Sequence, residues 1–570
     1  MNGDSEFSVQ RGRRLLLIAC MLLALATLVW RAVSLQVLDK DFLQTQGQAR
    51  HLRVVTLPAH RGMILDRQGE LLAVSTPVES VWVNPRELIG VQEGISRLAQ
   101  LLRLDRDQVQ QLVASRAERE FVYLRRHVSP VLAGQVRAMN IPGVYLQKEY
   151  KRYYPAGEVA AHVVGFNNID DVGQEGLELA FGDWLRGEPG AKRVIKDGRR
   201  KAVEDVESIR RSHPGKDLPL SIDRRIQYLA YRELKAAMKE HQAQSASAVV
   251  LDVRSGEILA MVNQPSYNPN NRHKLRRKDL RNRAVTDVFE PGSTMKPFIV
   301  ATALESGLYT PETPVSTAPG WLRVGRNTVR DVHDYGLLDV AGVIRKSSNV
   351  GITKIALSLP AERIWSSLSG LGFGVPTDSG FPGESSGLLT GHRGWNAIET
   401  ATLAFGYGMS ATPLQLAQAY AVLAAGGIKR PVSFLRQDRA VAGQRVFPAT
   451  VAQQVVDMLE AVTGPGGTAP AARVTGYRVA GKTGTVRKSV AGGYSHDKYL
   501  AVFAGMAPAS DPRLVMVVMI NEPSNGKYYG GLVAAPVFSS VMSGALRLLA
   551  VPPDDLPLLQ TRHGLTGEPA

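Results

Sequence analysis

From Leu15 to Trp30 the chain carries no charge, and Arg11, Arg13 and Arg14 stand just before that run. An uncharged stretch of this length has few outlets other than a bilayer. With Arg31 snorkelling to the interface, the span continues to Leu38, and about 24 helical residues rise about 36 Å, enough to cross the hydrocarbon core. The arginines put residues 1–14 in the cytoplasm and everything after Leu38 on the far side. Ala24-Leu25-Ala26 fits a signal-peptidase site, but the apolar run continues past it, so a retained anchor over 15–38 is expected. Leu17-Ile18-Ala19-Cys20 has the form of a lipoprotein box, yet too few apolar residues precede the cysteine, and Cys20 reads as membrane-embedded.

The 570 residues exceed what one core can organise, so two or more domains follow the anchor. Cys20 is the single cysteine, which excludes an internal disulfide and a cysteine-built zinc site. The formal net charge of +16 suits a partner with phosphates or carboxylates: nucleic acid, anionic lipid or cell-wall polymer. No zinc-finger or RNA-binding signature accompanies it, so no nucleic-acid partner is expected.

Residues 39–215 change texture repeatedly. Val54–Leu57 and Val81–Val83 read as strands, Arg61–Glu70 as an extended piece ending in a turn, and 95–104 and 106–119 as helices. Nothing here pairs a nucleophile with a base. Ser212–Pro219 is the best linker. Beyond it, Ile222–Glu240 reads as an amphipathic helix, and 248–253 with 257–262 as a hairpin across Arg254-Ser255-Gly256. The cationic run Arg272–Lys278 is read first as a solvated face, second as an attractor of anionic lipid or substrate. Near the end, 477–486, 499–503 and 514–520 read as successive antiparallel strands. A helix over 536–549 follows, with a loose tail from Pro552.

The chemistry gathers at three places. Pro291-Gly292 is a turn signal, and the apolar run Phe298–Glu305 reads as a buried helix, so Ser293 falls near its first turn. Three positions apart, the Ser293 hydroxyl and the Lys296 amine share a face. Serine needs a base, and a lysine kept neutral by burial and the helix dipole could serve. Two further S-x-x-K matches, Ser495/Lys498 and Ser524/Lys527, lie in loop-like text. Ser347-Ser348-Asn349 sits between two helical stretches, either facing a cleft or acting as a helix cap. Ser266-Tyr267-Asn268 repeats that pattern among prolines. Lys482-Thr483-Gly484 lies on an expected edge strand, followed by Thr485.

The order S-x-x-K, S-x-N, K-T-G is the set found in penicillin-binding proteins and class A β-lactamases. Arg61-Gly62 with Asp66-Arg67 and Gly69, Arg281-Asn282-Arg283, Asp287–Lys296, Phe405–Gly408, Thr412–Ala417 and Gly530–Phe538 extend the likeness over nearly the whole chain. The sequence resembles the class B penicillin-binding proteins, most of all the division-specific penicillin-binding protein 3 branch. Met295 departs from the residues common at its position without touching the chemistry.

The resemblance implies an α+β architecture. One transmembrane helix would be followed by an elongated, non-catalytic pedestal (dimerisation) domain over 39–215. A β-lactamase-like transpeptidase domain over 216–553 would contain an antiparallel five-stranded sheet flanked by helices, ahead of a disordered tail, 554–570. It implies a D,D-transpeptidase on the periplasmic face of the bacterial inner membrane that cross-links peptidoglycan stem peptides at the septum. Ser293 would form the acyl-enzyme with release of D-alanine, Lys296 would take its proton, and Ser347 would relay a proton to the leaving group. Asn349 would hold Lys296 and the donor peptide. Lys482 would attract the terminal carboxylate, which Thr483, Gly484 and Thr485 bind, with Tyr407 walling the cleft. Backbone N–H groups of Ser293 and Thr485 would form the oxyanion hole. Phe405 reads equally as cleft wall or core.

β-Lactams would acylate Ser293. No metal or organic cofactor is implied. The implied partners are the lipid-linked precursor polymer, a polytopic lipid-II polymerase and other divisome membrane proteins. Alternatives on the same fold are the elongation-specific transpeptidase, a D,D-carboxypeptidase, a non-enzymatic scaffold and a β-lactam sensor. A sensor would need a signalling domain, and with one span and no H-E-x-x-H motif in the sequence it is not the expected reading.

Overall fold

The computed structural model describes residues 4–40, 52–196, 202–273, 275–439, 441–490 and 492–556. The chain forms two compact units, Met1–His60 with Gly187–Gly215, and Arg61–Arg186 with Lys216–Ala570.

In the first unit a helix runs over Asp4–Val33 and closes in a wider turn over Ser34–Leu38. There the Ser34 hydroxyl donates to Asp39 Oδ2 at 2.9 Å and Asp39 N–H to Ser34 O at 2.7 Å. The segment Arg13–Leu38, with mean hydropathy 2.3, is long and apolar enough to cross a membrane. The same unit holds a three-stranded antiparallel sheet of Leu52–Leu57, Gly190–Lys196 and Ala202–Arg210.

The second unit begins with a smaller layer. Strands Leu71–Val83, Val122–Val128 and Val144–Tyr153 pair antiparallel. Helices Gln92–Leu102, Arg106–Ser115 and Pro130–Ala138 bury Leu98, Leu102, Val109 and Val136 in a core shared with Val81, Val83 and Val122. Both expected helices are present, the second stopping at Ser115. Where a linker was expected, Leu218–Pro219 instead pairs parallel with Ile64–Leu65.

The main sheet has five antiparallel strands in the order Ile258–Gln264, Ser245–Asp252, Leu514–Asn521, Gly493–Ala507, Ala480–Val490. Every residue of Ser245–Asp252 is buried, which requires cover on both faces. Arg224–Glu240, capped by Asp223, supplies part of it through Ile226, Ala230, Leu234 and Ala237 at helical spacing, and packs on the C-terminal helix Ala535–Leu548. Pro413–Ala424 packs on the central strands and opens with a reciprocal cap between Thr412 and Gln415. Helix Lys296–Glu305 is buried all round from Lys296 to Leu304, its Phe298 ring lying edge-on to Tyr420 and Phe373.

The chain end departs from the loose tail expected from Pro552. Asp554 accepts from Arg478 N–H at 2.8 Å and from the Ser510 hydroxyl at 2.7 Å, satisfying two donors at the end of the sheet. Residues 557–570 of that expected tail lie outside the described residues.

Candidate active site

Ser293 does not open the α-helix itself. Gly292–Met295 forms a tighter 3₁₀ turn, and Lys296 is the first α-helical residue. Ser293 lies within that turn and Lys296 just after it, and among the described residues the Lys296 amine bonds Ser347 and Asn349, not the Ser293 hydroxyl. The turn is pressed onto the strand Ala480–Val490 at two glycines. A Cβ on Gly292, whose φ is +57°, would meet Val486 Cγ2 at 2.4 Å, and one on Gly484 would meet Pro291 O at 3.1 Å. Inside, the buried Tyr420 hydroxyl donates to Thr294 O at 2.9 Å. Ser293 is half-buried at the surface of this assembly.

The Lys296 side chain is fully buried and points at the turn between helices Val340–Lys346 and Asn349–Leu357. Its Nζ donates to Ser347 O at 2.5 Å and to Asn349 Oδ1 at 2.8 Å, and lies 3.2 Å from Ser347 Oγ. Two carbonyl oxygens accept two N–H groups, so a neutral amine keeps its lone pair for another task. From the other side the equally buried Lys482 donates to Ser347 Oγ at 2.8 Å. One hydroxyl therefore joins two buried amines. Ser347 reaches this position with φ +60°, a left-handed conformation uncommon for serine.

Burial pushes the Lys296 amine far below the ordinary lysine range, the charge of Lys482 pushes it the same way, and Asp331 opposes both. Burial also lowers Lys482, to about 7. The arrangement thus favours the neutral form of the Lys296 amine and sets it beside a lysine that can exchange a proton near neutral pH.

Asp331 and Arg330 carry no sequence signal, and they fix this turn. The Asp331 carboxylate accepts from the Ser348 hydroxyl at 2.5 Å, from Val350 N–H at 3.0 Å and from Asn349 N–H, while Arg330 O accepts from Asn349 Nδ2 at 3.1 Å. Both readings of the triplet hold, on different residues. Ser348 is a helix cap, accepting from Gly351 N–H, and Ser347 and Asn349 face the lysines.

Thr483 and Thr485 have intramolecular partners. The Thr483 and Thr468 hydroxyls lie 2.9 Å apart, and Thr485 Oγ1 accepts from Gly530 N–H at 3.0 Å. As acceptor, the Thr485 hydroxyl keeps its proton free to donate. Gly406, beside Tyr407, makes room for the chain itself. A Cβ on Gly406 would strike Gly292 O at 2.2 Å, so this loop lies against the serine turn itself. Tyr407 is half-buried, edge-on to Tyr494 at 5.4 Å and to Phe405 at 5.7 Å. Phe405 packs with Val324, Val329 and Ala401, a core role. Glu290, also unsignalled, accepts from Gly408 N–H and from the Tyr494 hydroxyl, both at 3.0 Å, tying that loop to the strand hairpin.

The rival motifs do other work. Ser495, expected in a loop, lies instead in the strand Gly493–Ala507 and donates to Asp497 Oδ1, Ser524 donates to Gln242 O, and Ser266 donates to Glu158 O. In the cationic run, Arg272 sits over the Phe166 ring at 4.6 Å, and Arg276 pairs with Asp279 at 2.6 Å.

Comparison with known proteins agrees with this geometry. The penicillin binding protein transpeptidase domain matches residues 246–543, and the penicillin-binding protein dimerisation domain matches residues 56–220. The chain belongs to the penicillin-binding proteins. It is 45% identical to peptidoglycan D,D-transpeptidase FtsI of Escherichia coli K12, covering 95% of this chain and 92% of that one. It is 42% identical to the probable peptidoglycan D,D-transpeptidase PenA of Neisseria gonorrhoeae, over 95% and 94%. Among solved structures, the TP domain of Burkholderia pseudomallei penicillin-binding protein 3 is 44% identical with TM-score 0.56, covering 59% of this chain and 98% of that domain. Family membership accounts for the match of all three motifs to one cleft in this penicillin-binding protein.

Proposed function

We propose that this protein is a septal peptidoglycan D,D-transpeptidase that works through an acyl-enzyme on Ser293. The observation that carries the reading is the Ser347 hydroxyl shared by two buried lysines, 3.2 Å from Lys296 Nζ and 2.8 Å from Lys482 Nζ. Neutral Lys296 takes the Ser293 proton as its oxygen attacks the carbonyl between the terminal D-alanines. The backbone N–H groups of Ser293 and Thr485 receive the oxyanion. The proton passes through Ser347 to the departing D-alanine, with Lys482 as its further donor. Asn349 holds Lys296 and the donor peptide. The substrate carboxylate lies along Thr483, Gly484 and Thr485, with Tyr407 at the opposite wall. An acceptor amine of a second stem peptide then resolves the ester, water doing so in the carboxypeptidase side reaction. β-Lactams acylate the same oxygen.

Residues 1–14 are cytoplasmic, 15–38 anchor the chain in the inner membrane, and the remainder is periplasmic. Residues 39–215 form a non-catalytic pedestal and 216–553 the transpeptidase domain, a division supported by the two domain matches. The anchor and pedestal engage a polytopic lipid-II polymerase and other divisome membrane proteins. The test is labelling with a fluorescent penicillin. Wild type labels, Ser293→Ala does not, and label surviving on Ser293→Ala refutes the nucleophile.

A further inference from the structure

One face beside the cleft has no use in this chemistry. Strands Trp321–Val324 and Asn327–Arg330 form a hairpin in which Trp321 opposes Arg330 and Arg323 opposes Thr328. Residues directly opposite on antiparallel strands share a face, as do residues two apart along one strand. Val324 and Val329 point inward and pack with Ala401. Trp321, Arg323, Thr328 and Arg330 therefore share the outer face, and all four are exposed, the Trp321 indole by 47%. Arg326 is exposed in the turn between them.

Among the described residues, none of Arg323, Arg326 and Arg330 forms an ion pair. Arg323 makes one bond to backbone, from Nε to Gly325 O at 3.3 Å. The neighbouring Asp331 carboxylate is turned away, occupied by the Ser348 hydroxyl and the Asn349 and Val350 N–H groups. The strand leads straight into the site, since Arg330 O accepts from Asn349 Nδ2 at 3.1 Å.

An exposed indole costs solubility, and three arginines without acidic partners repel one another. Together they match a ligand that is both sugar and acid. A pyranose ring offers C–H groups to the indole face, and carboxylates take the paired N–H groups of guanidinium. A β-lactam or an isolated D-alanyl-D-alanine end has no need of this surface. A polymer whose peptide enters the cleft must run across its rim.

We propose that the exposed face of hairpin 321–330, centred on Trp321 and Arg323, binds the un-cross-linked peptidoglycan strand outside the cleft, sugar rings on the indole and stem-peptide carboxylates on the arginines. The inference rests on the transpeptidase reading for the identity of the polymer, and charge complementarity selects it.

The test uses full-length protein in detergent and purified un-cross-linked glycan strands bearing stem peptides. Strand binding is measured for wild type, Trp321→Ala, Trp321→Tyr and Arg323→Glu, with the penicillin acylation rate on the same preparations. Trp321→Ala and Arg323→Glu should each weaken strand binding about fivefold or more, and Trp321→Tyr, which keeps a ring, by no more than about twofold. Acylation by penicillin should stay at the wild-type rate in all of them. Equal strand binding by all four proteins, or no binding by wild type, overturns the proposal. So does a loss of acylation in step with binding, because the hairpin would then act through the shape of the cleft. Label persisting on Ser293→Ala while strand binding still depends on Trp321 would instead remove the nucleophile and leave the platform standing.

Discussion

The second unit buries cations in two places, with opposite consequences. Near its first layer, Arg61 and Arg152 grip Glu178 from two sides, at 2.8 Å and 2.6 Å, and all three side chains are almost wholly enclosed. In the cleft, Lys296 and Lys482 are as deeply buried, and the oxygens they bond are uncharged: carbonyls, an amide and the hydroxyl they share. A carboxylate between two guanidinium groups keeps every charge in place and ties distant segments together. Two buried amines around a hydroxyl disfavour each other's charge, so Lys296 is held far below the ordinary lysine range and Lys482 at about 7. The first is a structural clamp. The second spends stability on chemistry.

The contrast can be broken most directly at Lys296. Lys296→Met should reduce penicillin acylation about 10³-fold while leaving thermal stability equal or higher, measured by labelling kinetics and a melt. A large fall in stability would show that the amine is a structural clamp after all. Glu178→Ala should do the reverse. Removing the shared carboxylate strands two buried arginines and should cost about 3 kcal/mol or more in denaturant titration, with acylation of the folded fraction near normal.

Asp331→Asn sharpens the comparison, because it tests whether the turn behind the lysines is merely supported. Acylation should drop about ten- to hundredfold as the turn loosens. Asp331 raises the Lys296 amine, so losing its charge should also move the acid limb of the acylation profile to lower pH. A drop in rate with an unmoved or rising limb would contradict the assigned electrostatics.

The smallest effect concerns Lys482. Its folded value is about 7, below the ordinary 10.5, so between those values the unfolded chain binds the extra proton and stability rises with pH. Below about 7 both states are protonated and the penalty is constant. Lys482→Met should therefore raise stability near neutral pH, by less than the full penalty of burying the charge because the bonds to Ser347 and Thr483 go with the amine, and the advantage shrinks as pH climbs toward 10. Melting curves across that range check the sign.

Sequence spacing carried the apolar N-terminal helix and the main strands, and it picked out Ser293 with Lys296 and the two other motifs, since each is a local pattern within one element. The N-terminal helix needs only its own apolarity, and the buried helix 298–305 only its composition. The rest depended on chain brought from far away. Asp331 and Arg330 lie in a polar run without periodicity, and they act because the hairpin ends against Ser348 and Asn349. Nothing local to Gly406 says that it makes room for Gly292, more than a hundred residues earlier.

By itself, the sequence determined which residues could carry a proton or form an ester, and that a segment near its N-terminal end is long and apolar enough to cross a membrane. Only the tertiary structure decided that two lysines from separate elements meet at one serine hydroxyl with no carboxylate, among the described residues, bonded to either. That meeting sets their protonation, because an amine's affinity for a proton depends on the water and charge within a few ångströms, and chain order does not record that.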